Sequence, residues 1–326
     1  MKLVVAELDA RSKYVSREFA YLINDLTSKY GWTHVETEGL LGGPGSLKDV
    51  ILRRFGELPE ILLLWEGYYV LDARAKEFQD LDCQKWILCD DLHWWSDEMK
   101  RSKQLAFSMC DAILSTYGYV FDQYYPELSK QKKVFWLPHS ASPDFLLPFN
   151  EHPENAIFLS GALSRQYPMR LRMKELFDRR SYPIVFHQHP GYRCNYDYEN
   201  DAAVGRAYAK RINSYRIGFT DCLQYRYTVA KYFEIPATGS LLLADDAVSE
   251  PLSTMGFIEN QHYIATSSRD LEEKIAYVLD EKNHDRLDQI RKSGQELIWQ
   301  KHKTSDRASM LDRICTLGDD SLKFFG

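Results

Sequence analysis

The sequence lacks long apolar runs, metal-binding cysteine patterns and an excess of positive charge, and each absence excludes a class of protein. No stretch approaches the ~18 apolar residues that a membrane span needs. The six cysteines are scattered and form no Cys-x-x-Cys pair, which predicts reduced thiols in a cytoplasmic protein. The formal net charge of −6 argues against nucleic acid as a partner, since such proteins bind phosphate backbones through basic surfaces.

Signal peptide, repeats and low-complexity segments are also not expected. The first nine residues combine a short apolar run with early acidic residues, which favours a first β-strand over a secretion signal. The length of 326 residues suits one large or two medium α/β domains. Aromatic residues are abundant, at 13%, which fits ordinary core packing as well as stacking on a carbohydrate or a base.

Short apolar runs alternate with amphipathic segments along the first 137 residues. The predicted strands are 2–8, 60–65, 85–89, 111–115 and 133–137, with a further short strand at 35–38. The predicted helices are 13–30, 47–55 and 96–108. This alternation is typical of a doubly wound parallel sheet.

A proline-rich joint separates this half from a second round of alternation. Pro138–Pro153 holds four of the 12 prolines, which favours a linker. Strands are then predicted at 155–160, 182–186, 216–220 and 240–244, and helices from Pro168 and at 203–213, 269–281, 284–302 and 305–316. We therefore expect an α/β protein with two Rossmann-like domains, each with a mainly parallel sheet, which face each other across a cleft.

The segment Tyr227–Asp246 predicts a helix, a glycine stop and a buried strand with an acidic end. On such a helix Tyr227, Lys231 and Glu234 share one face, and Gly239 supplies the left-handed residue that ends it. A cation and a carboxylate at this turn suit a ligand that carries phosphate at one end and hydroxyls at the other. The alternative is a solvated ion pair on the helix surface.

The stretch Lys231–Asp245 resembles the donor-binding segment of GT-B glycosyltransferases, and is most similar to the group-1 glycosyltransferase domain of CgeB-like proteins. The family pattern is roughly Arg-x-Phe-Glu-x-x-Ala-x-Gly, followed by an apolar strand and an aspartate. The similarity continues through Glu250–Leu252, Ile264–Ile275 and Gln300–Thr304. It covers roughly residues 155–315, and the first half only loosely.

The resemblance implies a role for each of several residues in this segment. Glu234 is expected to hold the ribose hydroxyls of a sugar nucleotide, Lys231 to face its diphosphate, and Gly239 to belong to the same donor segment. The family's usual arginine is replaced by Lys231, a point charge rather than a fork. Retaining enzymes often carry a second glutamate eight positions before the first, where this chain has Arg226. Arg226 is therefore a predicted donor-site residue, and the stereochemistry of transfer stays open.

The proline-rich joint sets the predicted domains at 1–145 and 154–304, and the resemblance assigns the acceptor to the first and the nucleotide sugar to the second. The last helix, in 305–326, is expected to return to the first domain.

Ligands of open parallel sheets bind beyond the carboxyl ends of the strands. The polar residues predicted at these ends are Asp9, Glu66, Asp90, Asp91, His93 and His139 in the first half, and Ser160, Gly161, His187, His189, Asp221 and Asp245 in the second. Asp91 and His93 are the preferred catalytic bases for an acceptor hydroxyl, with Glu66 next. The alternative is that an aspartate caps the following helix and that His93 packs beside Trp94.

Two loops and one histidine pair complete the candidates. Ser160, Gly161 and Arg165 lie in a strand-to-helix turn that can bind phosphate through bare amides, and similar Gly-x5-Tyr-Pro-x-Arg turns occur in CgeB-like proteins. The glycine-rich loop 42–46 is either a simple turn or an acceptor-side phosphate loop. His187 and His189 lack a third metal ligand nearby, so they are expected to line the donor site, and no metal is expected.

Together these features predict a cytoplasmic, metal-independent glycosyltransferase, hexosyl or pentosyl. It would move a sugar from a nucleotide-diphosphate sugar to a hydroxyl-bearing acceptor such as a carbohydrate, without another cofactor. A nucleotide-sugar epimerase or hydrolase of the same fold, and a sugar-nucleotide binder without activity, are the alternatives. The sugar, the nucleobase, the acceptor and the oligomeric state are open at this stage.

Overall fold

A computed structural model of the protein describes residues 1–7, 16–42, 44–191 and 196–325. These residues fall into two compact units, taken from Met1–Ser12, Phe19–Pro138 and Arg307–Phe324 in the first and from Lys13–Glu18, His139–Asp306 and Phe325–Gly326 in the second. Within the described ranges, no helix is both long and apolar enough to span a bilayer.

The first unit contains a six-stranded parallel sheet. Its strands are β1 Lys2–Ala6, β2 Trp32–Val35, β3 Ile61–Trp65, β4 Gln84–Cys89, β5 Ala112–Ser115 and β6 Lys133–Trp136, in the order β2-β1-β3-β4-β5-β6. All five residues of β3 are buried, because a parallel sheet is covered on both faces and its inner strands are therefore apolar throughout.

Among the described residues, eight α-helices alternate with the strands of this sheet. They are α1 Glu18–Lys29, α2 Thr37–Leu41, α3 Leu47–Phe55, α4 Tyr68–Asp72, α5 Ala75–Gln79, α6 Asp97–Met109, α7 Phe121–Tyr124 and α8 Pro126–Gln131. Ser46 and Ser96 cap α3 and α6, since their hydroxyls accept the amides of Asp49 at 3.2 Å and Met99 at 3.1 Å. The predicted strand at 35–38 is wrong, because β2 ends at Val35 and helix α2 begins at Thr37.

The second unit contains a five-stranded parallel sheet in the order β11-β10-β9-β7-β8. Its strands are β7 Glu154–Gly161, β8 Ile184–Gln188, β9 Tyr215–Thr220, β10 Leu241–Asp245 and β11 Ile264–Thr266. The helices are α9 Pro168–Asp178, α10 Gly205–Asn213, α11 Lys231–Ala237, α12 Ser249–Thr254, α13 Leu271–Leu279, α14 His284–Lys301 and α15 Thr304–Leu317. Two separate parallel sheets, each with helices between its strands, confirm the predicted pair of Rossmann-like units.

Most of α15 clusters with the first unit. Asp312 accepts hydrogen bonds from Lys2 Nζ at 2.6 Å and Trp32 Nε1 at 2.7 Å. Arg307 is buried and donates through Nε to the carbonyl of Pro138 at 3.0 Å. These hydrogen bonds hold the helix against β1, β2 and Pro138, the last residue of the segment Phe19–Pro138.

Helix α11 is shorter than predicted. It begins at Lys231 rather than Tyr227, so Tyr227 lies outside the helix and does not share a helical face with Lys231 and Glu234. The predicted stop is confirmed, because Gly239 has a φ of +81°, a value that favours glycine. The helix also lies close to β9, where a Cβ on Gly218 would come within 2.7 Å of Ile235.

Candidate functional site

The carboxyl edge of the second sheet collects polar residues from several chain segments. Ser160 and Gly161 end β7, His187 lies near the end of β8, and Asp221 follows β9. Lys231 opens the crossover helix α11, which leads from this edge back to the start of β10. Because the strands are parallel neighbours, their carboxyl ends lie at one edge, where ligands of such sheets bind.

The positively charged groups of Arg170 and Lys231 both lie close to Gly161. Its φ is +105°, and a Cβ placed on it would lie 2.6 Å from Arg170 Nη1 and 3.3 Å from Lys231 Nζ. Only glycine combines this backbone conformation with the required space. The arrangement leaves two positive groups beside a bare stretch of backbone.

Arg170 is fixed by the first turn of α9 and by Asp221. Its amide donates to Asp221 Oδ2 at 2.9 Å, its Nη2 lies 3.0 Å from Asp221 Oδ1, and its Nη1 donates to the carbonyl of Ala162 at 3.0 Å. The guanidinium carbon is 3.7 Å from the ring centre of Tyr167. Both charged side chains are buried; burial raises the pKa of Asp221, and Arg170 opposes that rise. Arg170 is thus an oriented cation with its counter-charge supplied.

Arg170 is a candidate site residue that the sequence does not single out. The residue predicted to contact phosphate is Arg165, whose side chain is exposed. The signal was nevertheless in the Gly161-x5-Tyr-Pro-x-Arg pattern, which ends at Arg170.

Lys231 differs from Arg170, since no described residue forms a hydrogen bond or ion pair with its Nζ. Burial lowers the pKa of Lys231 to about 8, and the positive charge of Arg170 acts in the same direction, while Glu234 opposes the fall. An incompletely compensated ammonium group at a strand-end edge is suited to an anionic ligand.

Glu234 lies one turn further along α11 and is buried, with 3% of its surface exposed. Burial raises its pKa, Lys231 opposes that effect, and the negative charge of Glu18 reinforces it. Glu18 itself accepts hydrogen bonds from His139 Nδ1 at 2.8 Å, and from the amide and hydroxyl of Ser140 at 2.6 and 2.8 Å. The structure therefore places a second buried glutamate near Glu234, at a position that no local sequence pattern indicates.

His187 and His189 both respond to the positive charge of Lys231. The ring of His187 stacks on Phe158 at 5.8 Å, and its Nε2 has no hydrogen-bond partner among the described residues. Burial lowers the pKa of His187, and Arg211 and Lys231 add to the effect. Burial and the charge of Lys231 also lower the pKa of His189 to about 4, and its Nδ1 accepts the amide of Gly191 at 2.9 Å.

Neutral imidazoles at this edge are hydrogen-bonding groups. Among the described residues, no group of three or more His, Cys, Asp or Glu side chains is arranged to hold a metal ion.

The remaining predicted donor residues lie in different surroundings. Ser160 Oγ is 2.7 Å from Tyr208 Oη, so it belongs to the buried edge. Arg226 is exposed and has a left-handed backbone with a φ of +57°. Gly239 lies at the far end of α11, where its carbonyl accepts Arg291 Nε at 2.9 Å. A Cβ there would lie 3.0 Å from Phe149, which gives Gly239 a packing role.

At the corresponding edge of the first unit, the segment 90–95 follows β4. The buried Lys103 of α6 donates to the carbonyls of Asp91 and His93, the latter at 3.1 Å. The Asp91 side chain is 57% exposed, whereas His93 is buried, and its pKa falls to about 4 through burial and the charge of Lys103. Ser96 rather than an aspartate caps α6, and the His93 ring packs edge-on against Trp95, with ring centres 4.7 Å apart.

Glu66 occupies the end of β3 beside this segment. Its φ is +57°, an uncommon conformation for a residue with a side chain. Its Oε1 accepts the amide of Asp90 at 2.5 Å, and burial raises its pKa to about 7 against the opposing charge of Lys103. Two further candidates, Asp9 and the Gly43 part of the glycine-rich loop, lie outside the described residues.

Known proteins resemble this chain both in sequence and in fold. Residues 170–313 match the family model described as glycosyl transferase-like, and the match begins at Arg170. Sucrose-phosphate synthase from Thermosynechococcus elongatus shares 12% identity with a TM-score of 0.65, over 96% of this chain and 98% of that chain. The chain has the GT-B fold.

Other GT-B structures are similar at equally low identity. An α-glucosyltransferase in complex with UDP-glucose and DNA containing an abasic site has a TM-score of 0.62 at 12% identity, over 96% of this chain and 98% of that chain. TarM has a TM-score of 0.53 at 12% identity, over 78% of this chain. The match spans only 54% of TarM's own length. No curated protein sequence matches the chain.

Proposed function

We propose that this GT-B protein is a glycosyltransferase that moves a sugar from a nucleotide-diphosphate sugar to a hydroxyl group of an acceptor. The observation that carries the proposal is the meeting of Arg170 and Lys231 at Gly161, where a Cβ would lie within 3.3 Å of both cations. Arg170 is already paired with Asp221, whereas Lys231 Nζ has no hydrogen bond or ion pair with a described residue and lies 6.0 Å from the ring centre of Tyr208. A diphosphate supplies the anionic oxygens that such a pair of donors binds.

The chemistry of the step explains why cations are needed. When the glycosidic bond to the diphosphate breaks, negative charge grows on the leaving oxygen, and fixed positive groups stabilise it most where water is excluded. Arg170 and Lys231 would provide that stabilisation without a metal ion. Ser160, His187 and His189, with the more distant Arg165, Arg226 and Gly239, are proposed to complete the donor site.

Glu234 is proposed to receive the ribose hydroxyls. Its carboxylate is buried on the helix that also presents Lys231, so one short element would position the sugar and phosphate parts of the same nucleotide. The glycosyl transferase-like match over residues 170–313 and the UDP-glucose complex of the structurally similar α-glucosyltransferase support this assignment.

The acceptor side is proposed to be the first unit. Asp91 and His93 are the candidate bases for the acceptor hydroxyl, and Glu66 is the next. His93 is neutral at neutral pH because its pKa is about 4, so it is available to accept a proton, although it is a weak base. Asp91 combines an exposed carboxylate with a fixed backbone.

Calorimetry with nucleoside diphosphates and their hexose and pentose conjugates tests the donor assignment. Glu234→Ala should weaken binding by ~1.5–3 kcal/mol, the usual worth of a hydrogen bond to a charged group, or roughly 10- to 150-fold. Glu296→Ala, which removes an exposed helical glutamate of the same unit, is the matched control. Equal affinity of a folded Glu234→Ala variant and the wild type would refute the role of Glu234.

Turnover separates this function from its alternatives. A glycosyltransferase releases nucleoside diphosphate rapidly only when acceptor is present, whereas an epimerase or hydrolase acts on the donor alone. The exposed Arg226, at the position of the family's second glutamate, favours a binder without activity as the second candidate. Tight donor binding with no product in a broad acceptor screen would support that candidate.

A further inference from the structure

Two large aromatic side chains are exposed at the strand-end edge of the first unit. Trp95 follows β4 and is 65% exposed, and Tyr69 is the second residue of α4 after β3 and is 50% exposed. Neither ring contributes to the buried core, although tryptophan and tyrosine are among the side chains that gain most from burial. Both rings lie at the edge of a parallel sheet at which ligands of such sheets bind.

The backbone that carries Trp95 is held by four hydrogen bonds from other elements. Lys103 donates to the carbonyls of Asp91 and His93, Tyr125 Oη donates to the carbonyl of Leu92 at 2.9 Å, and Thr116 Oγ1 donates to the carbonyl of Asp90 at 2.9 Å. A loop fixed in this way loses little further conformational entropy when a ligand binds.

The rings themselves are also fixed by neighbours. The edge-on contact between His93 and Trp95 has an interplanar angle of 89°, and Tyr69 packs on Tyr68 with ring centres 4.7 Å apart. Lys103 connects the two sides, because its ammonium lies 5.0 Å from the ring centre of Tyr68 while it binds the carbonyl of His93. Trp95 and Tyr69 therefore each contact a residue that Lys103 also contacts.

Charge around the rings limits the ligand class. Asp91, Asp97 and Glu98 are exposed and lie within four positions of Trp95 in the chain. Burial raises the pKa of the Tyr69 hydroxyl, the positive charge of Lys103 opposes that rise, and the carboxyl groups of Glu98, Glu66 and Asp72 add to it. Such carboxylates accept hydrogen bonds from hydroxyl groups and repel phosphate and other anions. A ligand with apolar C–H faces, many hydroxyls and no negative charge fits both features.

We propose that Trp95 and Tyr69 form an acceptor platform for a neutral carbohydrate chain, with Asp91 as a hydroxyl-binding group at its rim. The inference deepens the proposed function, because it names the class of acceptor and the surface that receives it. Trp95 and Tyr69 bind and orient the chain by stacking.

Saturation-transfer NMR with maltotetraose, cellotetraose and chitotetraose tests the platform directly. We expect at least one of these saccharides to receive saturation from the aromatic protons of the wild type. Trp95→Ala should weaken that binding roughly 2- to 12-fold, the usual worth of an aromatic contact, and Trp95→Phe should restore most of it. Tyr277→Ala, which removes an aromatic ring with 38% exposure from α13, should bind as the wild type does.

The donor serves as an independent readout. UDP-glucose affinity should be equal in the wild type and Trp95→Ala, so a missing donor signal would count against the proposed function and leave the saccharide result interpretable. Failure of all three saccharides to bind the wild type would overturn the platform, as would binding that Trp95→Ala leaves unchanged. Preferential binding of an anionic tetrasaccharide or a DNA duplex would also overturn it.

Discussion

If Lys231 binds the donor as proposed, its lowered pKa should make donor affinity depend on pH in a range where most side chains do not titrate. In the ligand-free protein this pKa is about 8, so the ammonium is charged below this pH and neutral above it. A bound diphosphate favours the charged form. Donor binding should therefore be strongest below pH 8 and should weaken as the pH rises through that value.

The magnitude follows from the fraction of charged lysine. With the pKa of about 8, roughly nine-tenths of the molecules carry the charge at pH 7 and about one-tenth at pH 9. Affinity for UDP-glucose should fall about tenfold between these values, which corresponds to ~1.4 kcal/mol. Binding at pH 9 should also take up roughly 0.9 proton per ligand, because the complex restores the charge.

Calorimetry in buffers of different ionisation enthalpy measures both quantities. UDP-glucose is preferred over UDP, because the terminal phosphate of UDP would titrate near pH 6. The pKa of His189 is about 4 and burial raises that of Tyr208, so neither group contributes between pH 7 and 9.

Substitutions at position 231 identify the group responsible. Lys231→Arg keeps its charge throughout and should bind with the same affinity at both pH values. Lys231→Met should bind weakly at both, and Lys292→Met, which changes an exposed lysine of the same unit, should behave as the wild type. A wild type with constant affinity up to pH 9 would refute the reasoning, as would a tenfold loss that persists in Lys231→Arg.

Three further perturbations test other parts of the structure. Gly161→Ala should lower donor affinity at least tenfold and cost about 1–3 kcal/mol of stability, because its φ is +105° and its Cβ would meet a guanidinium. Gly31 has a φ of +69° and no atom within 4 Å of its Cβ, so Gly31→Ala introduces backbone strain without a clash. Calorimetry on both variants separates the two effects. Asp221→Asn should destabilise the protein by about 3 kcal/mol or more, since it removes one partner of a fully buried ion pair, and a change below 1 kcal/mol in chemical denaturation would contradict this. Asp91→Ala should keep its melting temperature and donor affinity but lose roughly 10²–10⁴-fold in turnover if it is the base; wild-type rates for it and for His93→Ala would transfer the role to another residue.

The sequence predicts long and regular elements well, and short ones poorly. Strand β3 and helix α3 have the predicted character, because an unbroken apolar run and a Ser-capped amphipathic segment are strong local signals. Helices α4, α5, α7 and α8 have only four to six residues each. They are too short to show a period, so their formation depends on tertiary contacts.

The candidate site shows a similar limit for a different reason. Lys231 and Glu234 are close in sequence and stand out as a motif, and both lie at the predicted helix. Arg170 and Asp221 are separated by 51 positions, so their pairing follows from neighbouring strand ends and is invisible in a local pattern. Glu18 is still more distant along the chain, and only the fold brings its charge to Glu234.

The two cations beside Gly161 differ in how firmly other residues hold them before a ligand binds. Arg170 is oriented by the buried carboxylate of Asp221 and by the carbonyl of Ala162, so it would offer a diphosphate a cation that is already in position. Lys231 has a flexible stem and a lowered pKa, so the charge of a bound diphosphate would stabilise its protonated form. The ligand-free protein holds an incompletely compensated cation at a cost in stability, a frequent property of functional sites. Donor binding would remove that cost, because the diphosphate would supply the missing negative charge. The largest change in electrostatic energy on binding would then occur at the diphosphate, the group from which the sugar departs.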